Sequence, residues 1–349
     1  MPSKLQTHLF YWKIINYFWI MKKYILLLLF PLATYSQNEE IGNFNEELFV
    51  MFYNVENLFD TIDNPAINDD EFLPNSKKEW NSSKYYYKLN QLGKVFASIS
   101  KNENNNRLPD IIGLCEVENS AVIKDLLNSS ILNNEDYEIV HQDSPDGRGI
   151  DCALLFNKKF KLLKTDFIVI ENPKANKPTR DIVFVKLKIK DKTINIFVNH
   201  WPSRWGGQAK SNHKRVFVAK TLKDYIDLNI SEGEYTIIMG DFNDYPTNES
   251  ISKLLHNNQF INLMSSSLIS GKGSYSYKGN WDWLDQIIVS KNFNESNMKL
   301  LSAGAFQKSF MLYKNKNGEL YPNRSFGGNS WYGGFSDHLP IYFKSEFIH

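Results

Sequence analysis

Six apolar runs in this chain carry polar groups at or next to one end. "MFYNVEN" offers Asn54 and Glu56, and "IIGLCEVEN" offers Glu116. "INIFVNHWPSR" offers Asn199 and His200, and "IIMGDFN" offers Asp241 and Asn243. "WDWLDQIIVS" places Asp285 before its apolar run, and "GFSDHLPIYF" places Asp337 and His338 before the last one. Each alone reads as a turn, because Asp and Asn are ordinary turn residues. Together they supply carboxylates, amides and imidazoles, with no thiolate or hydroxyl nucleophile among them. Oxygen-rich donors of this kind suit Mg²⁺, Mn²⁺ or Ca²⁺ rather than Zn²⁺. Gathered at one place, they would form a single site able to hold such a cation.

Convergence needs strands that end at one edge. Short β-branched or aromatic runs predict strands over 48–54, 110–116, 137–140, 152–156, 182–189, 193–199, 235–239, 285–290 and 340–343. Residues 85–99 predict a helix with Tyr86, Leu89, Leu92, Val95, Phe96 and Ile99 on one face. Further helices are expected over 121–132, 213–228 and 249–256. Strands and helices mix without strict alternation, which argues for antiparallel or mixed sheets. Nothing rich in Pro and Gly divides residues 47–346, so one domain is expected there. "NENNNR" (102–107) reads as an exposed loop.

The ordered set "FYNVENLFD", "PDIIGLCEVEN", "VNHWPSR", "GDFND", "LDQIIVS" and "SDHLPIY" resembles the endonuclease/exonuclease/phosphatase superfamily. The resemblance covers Phe49 to Phe343. It implies an α/β (α+β) fold, a four-layer α/β/β/α sandwich of two packed mixed sheets. It also implies hydrolysis of a phosphate ester with Mg²⁺, or Mn²⁺ or Ca²⁺. By the same resemblance Glu116 holds the metal, with Asn54, Glu56 and Asp337 beside it. Asp241 orients or deprotonates the attacking water, and Asn243 holds a phosphoryl oxygen. His338 contacts the scissile phosphate, with Asp285 fixing its tautomer. His200 stands where secreted deoxyribonucleases and sphingomyelinases carry a histidine able to act on the leaving group. Arg148 and Arg180 are candidate phosphate contacts, since a guanidinium matches phosphate geometry.

"SRWGGQAKSNHKR" (203–215) places Arg204, Lys210, Lys214 and Arg215 beside His200, with Trp205 for stacking. This favours a nucleic-acid substrate and an endonuclease. A sphingomyelinase-type lipid phosphodiesterase or small-phosphoester phosphatase is the alternative. It draws on Trp281, Trp283, Trp331, Tyr332 and Phe335 as lipid-facing aromatics. A non-catalytic binding protein would have lost site residues, and none is missing. No obligate protein partner is called for, and a monomer is expected.

The chain of 349 residues is 42% hydrophobic, ample for a large core. "MKKYILLLLFPLATYSQ" has the basic, apolar and small-residue sections of a signal peptide, expected over 21–36 and followed by a linker at 37–46. Residues 1–20 read as an over-extended start, and a secreted or periplasmic location follows. Residues 1–36 hold four lysines and no acid, so the remaining chain carries 36 basic and 39 acidic residues, net −3. Nucleic-acid binding would then need locally gathered positive charge. Cys115 and Cys152 lie in apolar runs and read as buried thiols.

Overall fold

The computed structural model describes residues 47–348, apart from 130–131, 133–135, 176, 256–258, 266–268, 271–272 and 295–297. The expected leader and linker lie outside these residues. The chain runs β1 (Glu47–Leu58), α1 (Ser82–Glu103), β2 (Ile111–Val117), α2 (Ser120–Leu127), β3 (Tyr137–His141) and β4 (Asp151–Asn157). It continues through β5 (Lys161–Ile168), β6 (Ile182–Ile189), β7 (Lys192–His200), α3 (Gln208–Asn229), β8 (Tyr235–Asp241), α4 (Glu249–Leu254) and β9 (Phe260–Asn262). A short β10 (Ile269–Ser270) precedes the hairpin β11 (Tyr275–Tyr277) and β12 (Asn280–Asp282). Then come β13 (Asp285–Ser290) and β14 (Met298–Ala305), the hairpins β15 (Leu312–Lys314) with β16 (Leu320–Pro322) and β17 (Phe326–Gly327) with β18 (Ser330–Trp331), and finally β19 (Ile341–Phe347).

Two large mixed sheets result. One has the order β10-β14-β19-β1-β2-β4-β3, the other β5-β6-β7-β8-β13-β9. The second sheet shows how alternation sorts its residues. Val183, Val185, Ile196, Val198, Ile237, Met239, Ile287 and Val289 face the first sheet and join its core. Phe184, Phe197, Ile238 and Ile288 point the other way, onto Val218, Ala219, Leu222 and Ile226 of α3. A strand's period of two assigns every second side chain to each face. Helix α1 covers the outer face of the first sheet with Leu89, Leu92, Val95, Phe96 and Ile99. The layers are therefore α/β/β/α.

Helix α1 is longer than its apolar stripe implies, because Asn81 caps it by accepting a bond from the Lys84 amide. Tyr85 rather than Tyr86 is the buried tyrosine, and Tyr86 is exposed. Cys115 and Cys152 are both buried and free. Among the described residues, no helix is long and apolar enough to cross a membrane.

Candidate active site

Strand register gathers the polar residues. β7 runs parallel to β8 with His200 opposite Asp241, and β13 runs antiparallel to β8 with Asp285 opposite Asp241. His200, Asp241 and Asp285 thus form one cross-strand row at the end of the second sheet. On the first sheet Asn54 stands opposite Cys115, one residue before Glu116. Gly240 lets β7 and β8 approach closely here, because a Cβ on it would lie 2.3 Å from the Asn199 carbonyl oxygen. Glu56, Asn57, Glu116 and Asn243 all have positive φ, between 49° and 63°. Both partner ladders shift register at these bulges, which turn the strand ends toward one another.

Asn54 ties the two sheets together. Its Nδ2 donates to Glu116 Oε1 at 3.3 Å and to Asp241 Oδ2 at 3.2 Å. Its Oδ1 accepts from the Glu56 amide at 3.0 Å, which fixes the orientation of the side-chain amide. Asn54 therefore presents an N–H donor to the centre, beside the expected metal ligand Glu116. Glu116 also accepts from the Asn57 amide at 2.9 Å. His200 Nε2 lies 3.9 Å from Glu116 and 3.8 Å from Asp241.

His338 Nδ1 sits 2.6 Å from Asp285 Oδ2, and its Nε2 is 3.8 Å from Asp241 Oδ2. Ser336 holds this segment by donating to the Asn54 carbonyl and accepting from the His338 amide. Burial opposes protonation of His338, yet the Asp285 and Asp241 carboxylates outweigh it and hold its pKa well above the usual value. His200 is pushed well below its usual value, first by burial and then by Arg180 and Arg148. One imidazole is thus cationic and the other neutral. Asp241 is pushed up to about 7, chiefly by burial, with His338 opposing and Asp285 and Glu116 adding.

Several expected contacts lie elsewhere. Glu56 turns away from Glu116 and accepts bonds from Arg324 Nε and the Ser325 amide, so its oxygens are already engaged. Asp337 pairs with Arg324 at 3.2 Å. Asn243 uses one amide hydrogen on the Trp201 carbonyl at 3.0 Å. Arg180 is buried, donating to the His200 and Trp201 carbonyls and pairing with Asp146, so it positions the His200 backbone rather than meeting a phosphate. Arg215 is fully buried against Asp244 at 2.7 Å. Arg204 binds the Asn243 carbonyl, Asp244 and Asn248. Arg215 is no free phosphate contact, because its guanidinium is enclosed, and Nε and Nη2 of Arg204 are taken by protein acceptors. Lys214 remains partly exposed, and Trp205 is 90% exposed. Arg148 is half-exposed, with its Nε on Asp146.

Arg148 and Arg324 border a cavity of about 370 Å³ that also meets Glu56, Lys78, Trp80 and Phe326. Arg324 and the buried Lys88, which donates to Ser325 Oγ at 2.6 Å, were not evident from the sequence. "PNRSFGG" carries no pattern that distinguishes Arg324 from surface charge. Trp331 packs on Trp80 and Phe326 and Trp283 is buried, while Tyr332 is exposed.

The sequence profile of the Endonuclease/Exonuclease/phosphatase family matches residues 49–346. The chain belongs to this family. It is accordingly of the phosphoesterase class. No curated protein matches it. Among solved structures it is similar to a family protein from Bacteroides thetaiotaomicron, at 14% identity over 87% of this chain and 99% of that one, with a TM-score of 0.56. A mannosyl-6-phosphatase from the same organism shares 16% identity over 86% and 100% of the two chains, with a TM-score of 0.53. The D. rerio TDP2 structure complexed with single strand DNA product shares 13% identity over 86% and 99%, with a TM-score of 0.55. At these identities the likeness speaks for the fold.

The donor set fits a hard divalent cation. Glu116 presents a carboxylate whose partners are single N–H donors, leaving lone pairs on both oxygens. Burial raises Asp241 first, and the neighbouring Asp285 and Glu116 carboxylates add to it. A divalent cation at Glu116 would relieve that excess of negative charge. Family members are generally divalent-metal dependent.

Proposed function

We propose that this chain is an exported hydrolase of phosphate esters that uses Mg²⁺, or Mn²⁺ in its place. The observation that carries the reading is the Asn54 bridge between Glu116 and Asp241, with His338 paired to Asp285 beside it. Glu116 would hold the metal. When bound, the ion supplies Lewis-acid stabilisation of charge on the phosphoryl oxygens. Asp241, raised toward neutrality, is suited to take a proton from an attacking water. His338, kept cationic by Asp285, places a charged donor against a phosphoryl oxygen. Separations of 3.8 Å from His338 and His200 to Asp241 exceed hydrogen-bond length, which leaves these groups free to turn to a ligand oxygen beside them. His200 is neutral, so it contributes an N–H donor rather than a cation at the leaving oxygen.

For substrate class, the inward turn of Arg204 and Arg215 removes half of the basic loop from a polymer track. The cavity beside Arg148 and Arg324 instead favours a small or terminal phosphoester. A nucleic-acid phosphodiester is the second reading, supported by exposed Trp205 beside Lys210 and Lys214. Bis-p-nitrophenyl phosphate, p-nitrophenyl phosphate, a sugar phosphate and single-stranded oligonucleotides, assayed with Mg²⁺ and with chelator, test both. Metal-dependent turnover of the small esters with slow oligonucleotide cleavage supports the first. Efficient cleavage of oligonucleotides alone would replace it with the second, and turnover of none would end both.

A further inference from the structure

Two strands along the same sheet edge from Glu116, a second group of metal-type donors closes around a buried histidine. His141 ends β3, and Asp151 begins the neighbouring β4. The side chains of His141 and Asp151 are 4% and 2% exposed. His141 Nε2 has no hydrogen-bond partner among the described residues. It faces Asp151 Oδ2 at 3.3 Å without hydrogen-bond geometry. Asp143 approaches from solvent, its Oδ1 3.9 Å from His141 Nδ1, with one donor atom from each of the three residues lying within 4.8 Å of the others. Asp151 keeps its other oxygen on the Ser144 amide at 2.9 Å, which fixes the carboxylate.

A buried imidazole left unsatisfied beside a buried carboxylate carries a cost. A cation removes it. With bonds of about 2.1 Å, a tetrahedral centre spaces its donors about 3.4 Å apart. The His141–Asp151 separation of 3.3 Å matches that edge. Imidazole nitrogen with two carboxylates suits a first-row transition cation better than Mg²⁺ or Ca²⁺. We propose that His141, Asp143 and Asp151 form a second cation site, of Zn²⁺ type, completed by water and separate from Glu116. Asp151 pairs with Val117, the residue after Glu116, so the site would clamp the strand edge that carries Glu116.

Equilibrium dialysis of the chelator-stripped full chain against Zn²⁺, with metal counted per chain, tests this. The background is Glu116→Gln, which weakens metal binding at the proposed catalytic site, and the Asp143 and Asp151 variants assign the remaining ion. The Glu116→Gln chain should still bind one Zn²⁺, and saturating metal should raise its Tm by on the order of 5 °C. Adding Asp151→Asn, which preserves an acceptor for Ser144, should weaken binding by about 10-fold to 100-fold and remove the Tm response. His141→Gln should do the same. Asp143→Asn, at the exposed rim, should weaken binding even if the buried variants fail to fold. The proposal falls if Glu116→Gln binds no Zn²⁺, or if Asp143→Asn binds as tightly as its parent. Because these readouts are metal content and melting, they stand apart from whether the chain hydrolyses phosphate esters.

Discussion

Asp241 and Asp244 lie three residues apart in one GDFND segment, both buried, with opposite surroundings. Asp244 is completely enclosed by partners: Arg215 at 2.7 Å, Arg204 at 3.1 Å and the Ser250 hydroxyl at 2.6 Å. Asp241 has no arginine. It receives an amide from Asn54 and one from Asn243, and shares its space with Asp285 and Glu116. The chain thus spends its guanidinium groups on the carboxylate that holds α3 and the loop before it. The carboxylate next to the proposed chemistry has only the His338 imidazole, at 3.8 Å, to offset its charge. Compensation, not burial, separates the structural acid from the reactive one.

Exchanging each acid for its amide should break the pair in opposite directions. Asp244→Asn strands a buried guanidinium, and unfolding stability should drop by about 3–5 kcal/mol. Asp241→Asn should lower kcat by on the order of 10³-fold while making the metal-free protein more stable at pH 8, by on the order of 2 kcal/mol. The sign follows from its pKa, which rises from 3.8 to about 7 on folding. Between these values the folded chain keeps a proton that the unfolded chain has released. Stability of the metal-free protein should therefore decline from about pH 4 to pH 7 and level off above, as far as this group is concerned. Denaturant melts across that range should show the slope shrink in Asp241→Asn. An unchanged slope would place the burden on another group.

Next in size is the charge that Glu116 contributes. Glu116→Gln should lose on the order of 10²-fold in activity, with part restored by excess Mg²⁺. Full activity in chelator would remove the metal from the scheme.

The His338–Asp285 pair sharpens the contrast from another side, because here an acid is compensated by a titratable partner. His338→Ala should cost on the order of 10²-fold or more, and adding Asp285→Ala should cost little beyond that. Defects that multiply would mean the two residues act separately.

The smallest effect belongs to the solvent-facing half of the loop. Replacing Lys210 and Lys214 with Gln should leave kcat on a small chromogenic ester unchanged. On an oligonucleotide KM should rise only about 2-fold to 5-fold, with a flatter salt dependence. A loss above 10-fold on the polymer would bring the nucleic-acid reading forward.

The sequence shows the apolar runs and the acids at their ends, and with them the two sheets. Asp285–Ser290 is a strand over the range its apolar run predicts, because a β-branched run between turn residues has few other uses. β5 and β14 were not legible. Lys161–Ile168 is largely exposed at an edge, and Met298–Ala305 lacks a continuous apolar run. Among site residues, the row His200, Asp241 and Asp285 is brought together by register. The arginines misled for a physical reason. Sequence shows a guanidinium's charge but not its direction, and Asp244 draws two of them inward. Arg324 was invisible for the converse reason, since its partners Glu56 and Asp337 are distant in the chain.

The last strand does not lie at a sheet margin. β19 sits between β14 and β1, with Glu346 opposite Glu47 and Ile341 opposite Phe52. Asn54 and His338, which meet across the site through Ser336, are therefore joined by contacts of very long sequence separation. Closing such loops is slow, and nothing shorter than the nearly complete domain can do it. A nascent chain would lack His338 and the strand that docks it. Hydrolytic capacity would then switch on only when β19 pairs between β14 and β1.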